Sequence, residues 1–146
     1  PDVGSVSRPR PFAMKLGTGL AIVDKRRERA NQSEVMNLIG NVEGKDVIIL
    51  DDMVDTAGSL CGAAKALKES GGANRVYACA SHGVLSGPAL ERIDNSSLEE
   101  LLLLDTTPYP QNTPRVDRIR YLSVAPLFAS AIQRIYDDES LAELFD

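Results

Sequence analysis

Three carboxylates fall within five positions, Asp51, Asp52 and Asp55, inside the stretch Val47-Ile48-Ile49-Leu50-Asp51-Asp52-Met53-Val54-Asp55-Thr56-Ala57-Gly58-Ser59. Carboxylates accept hydrogen bonds from hydroxyls. The run Thr56-Ala57-Gly58-Ser59 behind them offers O–H and backbone N–H donors, which suit a phosphate dianion. Acceptors followed by donors describe a site for a phosphorylated polyol. A solvated turn that merely capped a helix would need one acid, worth about 0.3–1 kcal/mol there. Three acids with no basic residue alongside in the sequence repel one another and point to a ligand or metal that absorbs the charge.

Two elements must hold this stretch in place. Val47–Leu50 reads as a fully buried, central strand that delivers its acids at the carboxyl end, where open α/β sheets bind ligands. Leu60, Ala63, Ala64, Leu67 and Lys68 recur at helical spacing, and Gly71-Gly72 stops that helix, so the pattern predicts a helix over Leu60–Ser70. The hydroxyl-and-glycine run then sits at a helix N-terminus. It is not a Walker loop, because no GK[ST] follows, nor a dinucleotide fingerprint, because Gly58 and Gly62 stand alone. Asp51-Asp52-Met53-Val54-Asp55 also matches the aspartate-rich magnesium motif of prenyl-diphosphate synthases. That motif lies on a long helix, whereas here a β-like run precedes it and Gly58 follows within three residues.

Around this centre the pattern predicts a short helix over Arg8–Leu16, with Pro9 and Pro11 in its first turn, and a strand over Leu20–Asp24. Lys25–Asn31 has no apolar period and reads as a mobile, solvated loop. Val35–Val42 leads through a hairpin-like turn, Glu43-Gly44-Lys45, into the central strand. Further strands are expected at Arg75–Ala80 and Leu101–Asp105, with an edge strand at Arg120–Ser123 after the Pro-rich Thr107–Pro114. Ser86–Ile93 reads as a short helix capped by Ser86, and Val124–Tyr136 as an amphipathic helix with Leu127, Ala131, Ile132 and Ile135 inward. Strands alternating with helices predict an α/β fold, a mainly parallel sheet flanked by helices on both faces.

With 146 residues the chain suffices for one domain, which buries roughly 68–70% of its unfolded surface. A net charge of −5 argues against a nucleic-acid coat. Two cysteines, Cys61 and Cys79, without CxxC spacing, and one histidine signal neither a disulfide framework nor a zinc site. No run approaches the ~18 apolar residues of a membrane span, and no basic-then-apolar leader opens the sequence. The expectation is a soluble, cytoplasmic protein. Pro1-Asp2-Val3-Gly4-Ser5 reads as a loop following a strand, so the chain is expected to be a piece of a longer protein.

Asp51 to Ser59 resembles the phosphoribosyl-diphosphate loop shared by ribose-phosphate pyrophosphokinases and type I phosphoribosyltransferases. Pro1-Asp2-Val3-Gly4-Ser5 with Arg8, Asp24-Lys25-Arg26-Arg27 with Asn31, Val35-Met36 with Ile39-Gly40, Ser81 to Ala89, and Glu139-Ser140-Leu141 with Leu144-Phe145 resemble the carboxyl-terminal half of the pyrophosphokinases. The resemblance implies a type I phosphoribosyltransferase-like domain, residues 1–146, of a two-domain enzyme. That enzyme would transfer the diphosphoryl group of ATP to ribose 5-phosphate, with Mg2+, in nucleotide biosynthesis. It further implies that Asp51 and Asp52 bind ribose hydroxyls and that Asp55, Thr56, Ala57, Gly58 and Ser59 wrap the 5-phosphate. Asp2 falls at the metal position, beside a histidine of the family's amino-terminal half. His82 is not that residue and reads as a hydrogen-bonded group at a strand end.

Lys25 and Arg27 match the pair on the family's flexible catalytic loop, and Arg27 also falls at a ribose 5-phosphate contact. Mobile cations there suit the charge that spreads over phosphoryl oxygens in the transition state. By composition alone, Lys25-Arg26-Arg27-Glu28-Arg29 would be a solvated loop, and Arg26 and Arg29 keep that reading. Ser140 matches a contact to a regulatory phosphate, while Ala142 stands where a second serine is common. Ser5 replaces a usual glycine beside Asp2, and Ala57 replaces a frequent glycine or cysteine with its backbone N–H kept. The resemblance implies a homo-oligomer, commonly a hexamer, and an isolated piece that turns over nothing. Two alternatives use the same loop. A type I phosphoribosyltransferase would release diphosphate when given a nucleobase, and an inactive regulatory homologue would carry a disrupted catalytic loop.

Overall fold

A computed structural model describes residues 9–26 and 35–145. Helix α1 (Pro9–Lys15) precedes an antiparallel hairpin of β1 (Ile22–Arg26) and β2 (Val35–Ile39), in which Lys25 lies opposite Met36. A four-stranded parallel sheet follows, made of β3 (Asp46–Val54), β4 (Arg75–Gly83), β5 (Glu100–Leu104) and β6 (Ile119–Leu122), in the order β3-β4-β5-β6. Parallel neighbours need crossovers. The first two are helical, α2 (Gly58–Glu69) and α3 (Ala89–Asp94), and the third is the Pro-rich segment. That segment is pinned by Tyr109, whose hydroxyl donates to the Pro114 carbonyl at 2.9 Å and accepts the Val116 N–H at 3.2 Å. Helix α4 (Ala125–Tyr136) and a 3-10 turn, Ala142–Leu144, close the chain.

The core forms where the alternation of β4 and β5 meets the stripe of α2. Val76, Ala78, Ala80, Leu101 and Leu103 are buried, as are Leu60, Ala63, Ala64 and Leu67 of α2 and Ala89 and Ile93 of α3. Each strand gives every second side chain to this face, as pleating requires. Helix α2 ends at Gly71 and Gly72. Gly72 has φ 68, and a Cβ on Gly71 would stand 2.7 Å from Leu38, Val42 and the Leu67 carbonyl, so only glycine fits there. Leu38 thus seats the hairpin at the C-terminal end of α2. Both thiols are free and half-buried.

The mainly parallel α/β sheet with helices agrees with expectation, as does, among the described residues, the edge position of the strand at 119–122. Several local expectations do not hold. Val35–Ile39 pairs with β1 and not with β3, so residues 43–45 connect two sheets and make no hairpin; pairing is a long-range choice that a turn signal cannot fix. Lys25 and Arg26 belong to β1, which the charged composition hid. Among the described residues β3 is an edge strand and not a central one, and it is not fully buried, since Ile48 is 54% exposed. In α4 the apolar stripe is present but uncovered, with Leu127, Ile132 and Ile135 54%, 65% and 62% exposed. Periodicity identifies an apolar face without identifying what covers it.

Candidate functional site

The acidic stretch lies at the carboxyl end of β3, with Asp51 and Asp52 within the strand and Asp55 just past it. Adjacent strand residues face opposite sides. Asp51 is half-buried and accepts the Asp52 backbone N–H at 2.9 Å, while Asp52 is exposed. Burial pushes the Asp51 carboxyl above its usual range, partly offset by that N–H.

Only three residues separate strand from helix, and Gly58 and Ser59 already belong to the first turn of α2. Ala57 is the N-cap residue, in the left-handed region at φ 59 and ψ 6, and 5% exposed. No side chain caps the helix. The three acids therefore leave the first-turn amides, among the donors a helix start leaves unpaired, without a capping carboxylate.

The Asp55 carboxylate turns elsewhere and accepts the Ser86 hydroxyl. Ser86 was expected to cap α3, but the N-cap position is Pro88, and Ser86 serves the loop after β3 instead. The backbone of the same segment joins in: Leu85 N–H donates to the Val54 carbonyl at 3.1 Å and Ser86 N–H to the Asp55 carbonyl at 3.0 Å. From α3, Arg92 Nη1 donates to the Thr56 carbonyl at 3.0 Å, and it stands 3.3 Å from where a Cβ on Gly58 would be. No motif marked Arg92; only the third dimension brings it here, from 36 residues away.

His82, at the end of β4, behaves as expected for a hydrogen-bonded group. Thr106 Oγ1 donates to the Ser81 carbonyl at 2.7 Å, so at 2.8 Å it accepts from His82 Nδ1, which carries the proton. Lys25 lies on the hairpin strand β1, in a different sheet from the strand that carries the acids. Asp2, Ser5 and Arg27 lie outside the described residues. Ser140 is exposed beyond α4, where its hydroxyl accepts the Ala142 N–H at 3.2 Å and its carbonyl accepts Arg134 Nη1 at 2.9 Å. Among the described residues no three Asp, Glu, His or Cys side chains converge as a metal cage would, and no helix is long and apolar enough to cross a membrane.

The phosphoribosyl synthetase-associated domain model matches residues 21–146. A ribose-phosphate pyrophosphokinase of Clostridium perfringens is 57% identical over 145 residues, 99% of this chain and 45% of that protein. One from Helicobacter hepaticus is 57% identical over 145 residues, 99% of this chain and 46% of its own length. The chain thus spans less than half the length of these curated relatives. Among solved structures, phosphoribosylpyrophosphate synthetase from Mycobacterium smegmatis superposes with a TM-score of 0.83 at 34% identity, over 94% of this chain and 43% of that one.

Proposed function

The chain belongs to the phosphoribosyl synthetase-associated domain family, and from that membership we propose that it supplies the ribose 5-phosphate site of a ribose-phosphate pyrophosphokinase. It would be the carboxyl-terminal domain of that enzyme. The observation that carries the reading is the join of β3 to α2: half-buried and exposed carboxylates at a strand end, then a helix start that no side chain caps. In this reading Asp51 and Asp52 accept ribose hydroxyls. Asp55, Thr56, Ala57, Gly58 and Ser59 wrap the 5-phosphate, mainly through N–H groups facing a dianion.

The reaction transfers a diphosphoryl group. The C1 hydroxyl oxygen bonds to the β-phosphorus of ATP and gives up its proton to solvent, the bond from that phosphorus to the α-bridging oxygen breaks, and AMP leaves. Charge grows on the equatorial oxygens, where the cations assigned to Lys25 and Arg27 act. Magnesium would accompany ATP and neutralise phosphate charge, with Asp2 as the ligand supplied by this chain; the described residues form no cage of their own. The proposal extends to a cytoplasmic homo-oligomer serving nucleotide biosynthesis, with Ser140 at a regulatory phosphate and with this piece inactive alone.

The test is a calorimetric titration of the chain with ribose 5-phosphate, with Asp51→Ala as control. Binding at millimolar or lower concentration that the control loses is expected. No heat at millimolar ligand would count against a preformed sugar-phosphate site.

A further inference from the structure

The carbonyls of Val54, Asp55 and Thr56 are three in succession, and all three accept hydrogen bonds from one segment, residues 85–92. Leu85 N–H takes the first, Ser86 N–H the second and Arg92 Nη1 the third. No cis peptide bond interrupts the described chain. In a planar trans peptide the C=O of one residue and the N–H of the next point in opposite directions. Each of these carbonyls is held by residues 85–92, so the N–H groups of Asp55, Thr56 and Ala57 point away from the groups that hold them. The first two carbonyls are held by backbone groups that come with the fold. The third is held by a side chain, next to Ala57, whose left-handed φ of 59 is unfavourable for a residue with a Cβ.

We infer that Arg92 is a positioning residue for the phosphate loop: its bond to the Thr56 carbonyl fixes the Thr56–Ala57 peptide so that the Ala57 N–H faces the 5-phosphate. This rests on the proposed ribose 5-phosphate site and adds to it a residue outside the loop. The guanidinium lies against Gly58, so a permanent positive charge also stands behind a loop whose own side chains are acids and hydroxyls. A hydrogen bond from a charged donor is strong enough to hold a peptide plane that would otherwise flip.

The experiment uses the full-length protein, with Arg92→Met and Arg92→Lys. Arg92→Met is expected to raise the KM for ribose 5-phosphate about tenfold or more, on the scale of one charged hydrogen bond, with kcat and the KM for ATP within about threefold. Arg92→Lys, which keeps a donor, is expected to recover part of that loss. A residue that only held the fold together would lower the active fraction, and hence kcat, without singling out one substrate. An unchanged KM in a folded Arg92→Met protein overturns the inference. So does a Lys variant no better than Met when both melt alike. If the unsubstituted protein itself makes no AMP from ATP and ribose 5-phosphate, it is the proposed function that fails, whatever Arg92 does.

Discussion

Ala57 is the residue on which loop geometry and ligand binding can be separated. Its φ of 59 costs a residue with a Cβ about 1–2 kcal/mol, yet its methyl group is buried, which returns about 0.8 kcal/mol. Ala57→Gly removes the strain, gives up the methyl burial, and adds unfolded-state entropy of roughly 0.5–1 kcal/mol. These nearly cancel, so stability should change by less than about 1 kcal/mol, or about 2–4 °C in Tm for a domain of this size. Ala57→Val keeps the backbone demand and places a β-branched side chain where such a φ is an outlier. It also overpacks a closed site, adding about 1–3 kcal/mol of strain, which the chain can avoid only by moving the loop. Scanning calorimetry with a ribose 5-phosphate titration reads both. Glycine should bind within about threefold of the parent, and valine should lose either several degrees of Tm or most of its affinity. A valine protein with parental Tm and affinity would refute the left-handed conformation as a requirement of the site.

Burial raises the folded carboxyl pKa of Asp51. As pH climbs, the unfolded chain releases this proton first, so the ionised carboxylate costs the folded state stability above the unfolded value of about 3.9. Asp51→Asn, which retains the acceptor for Asp52 N–H, should therefore raise Tm at pH 7, with the gain vanishing below about pH 4, while ribose 5-phosphate affinity falls about tenfold or more; a lower Tm at pH 7 would contradict it. Lys25→Ala in the full-length protein should cut kcat about 10²- to 10³-fold while ribose 5-phosphate binding stays within about threefold; near-normal AMP formation would remove Lys25 from the mechanism.

The elements that sequence made legible are those set by local periodicity. Helix α2 runs Gly58–Glu69 against an expected Leu60–Ser70, because Leu60, Ala63, Ala64 and Leu67 mark its inner stripe and Gly71-Gly72 its end. The strands at β4, β5 and β6 were legible for the same reason. What was hidden depends on partners far along the chain. Nothing local tells Val35–Ile39 to pair with Ile22–Arg26 and not with β3, and nothing in Leu127, Ile132 or Ile135 says whether another surface meets them. Ser86 had the right residue type for a cap, but the helix starts after Pro88, and the Ser86 hydroxyl donates instead to the Asp55 carboxylate, 31 residues earlier.

The cluster of three carboxylates carried a puzzle, since no cation stood near it in the sequence and their mutual repulsion pointed to a ligand. The structure divides that repulsion before any ligand arrives. Asp55 is engaged by the Ser86 hydroxyl, Asp51 is half-buried against the Asp52 amide, and Arg92 places a positive charge behind Thr56 and Gly58. The resulting field has a direction: negative where β3 ends, positive where α2 begins, reinforced there by the helix dipole. In the proposed site, a neutral polyol carrying a dianion at one end would fit that polarity in one orientation only, hydroxyls on Asp51 and Asp52 and phosphate on the turn. Reversing it would set a phosphate against two carboxylates. In that proposal the cluster would act less as a reservoir of charge awaiting a counterion than as one pole of an orienting pair, whose other pole, Arg92, no local sequence signal marks.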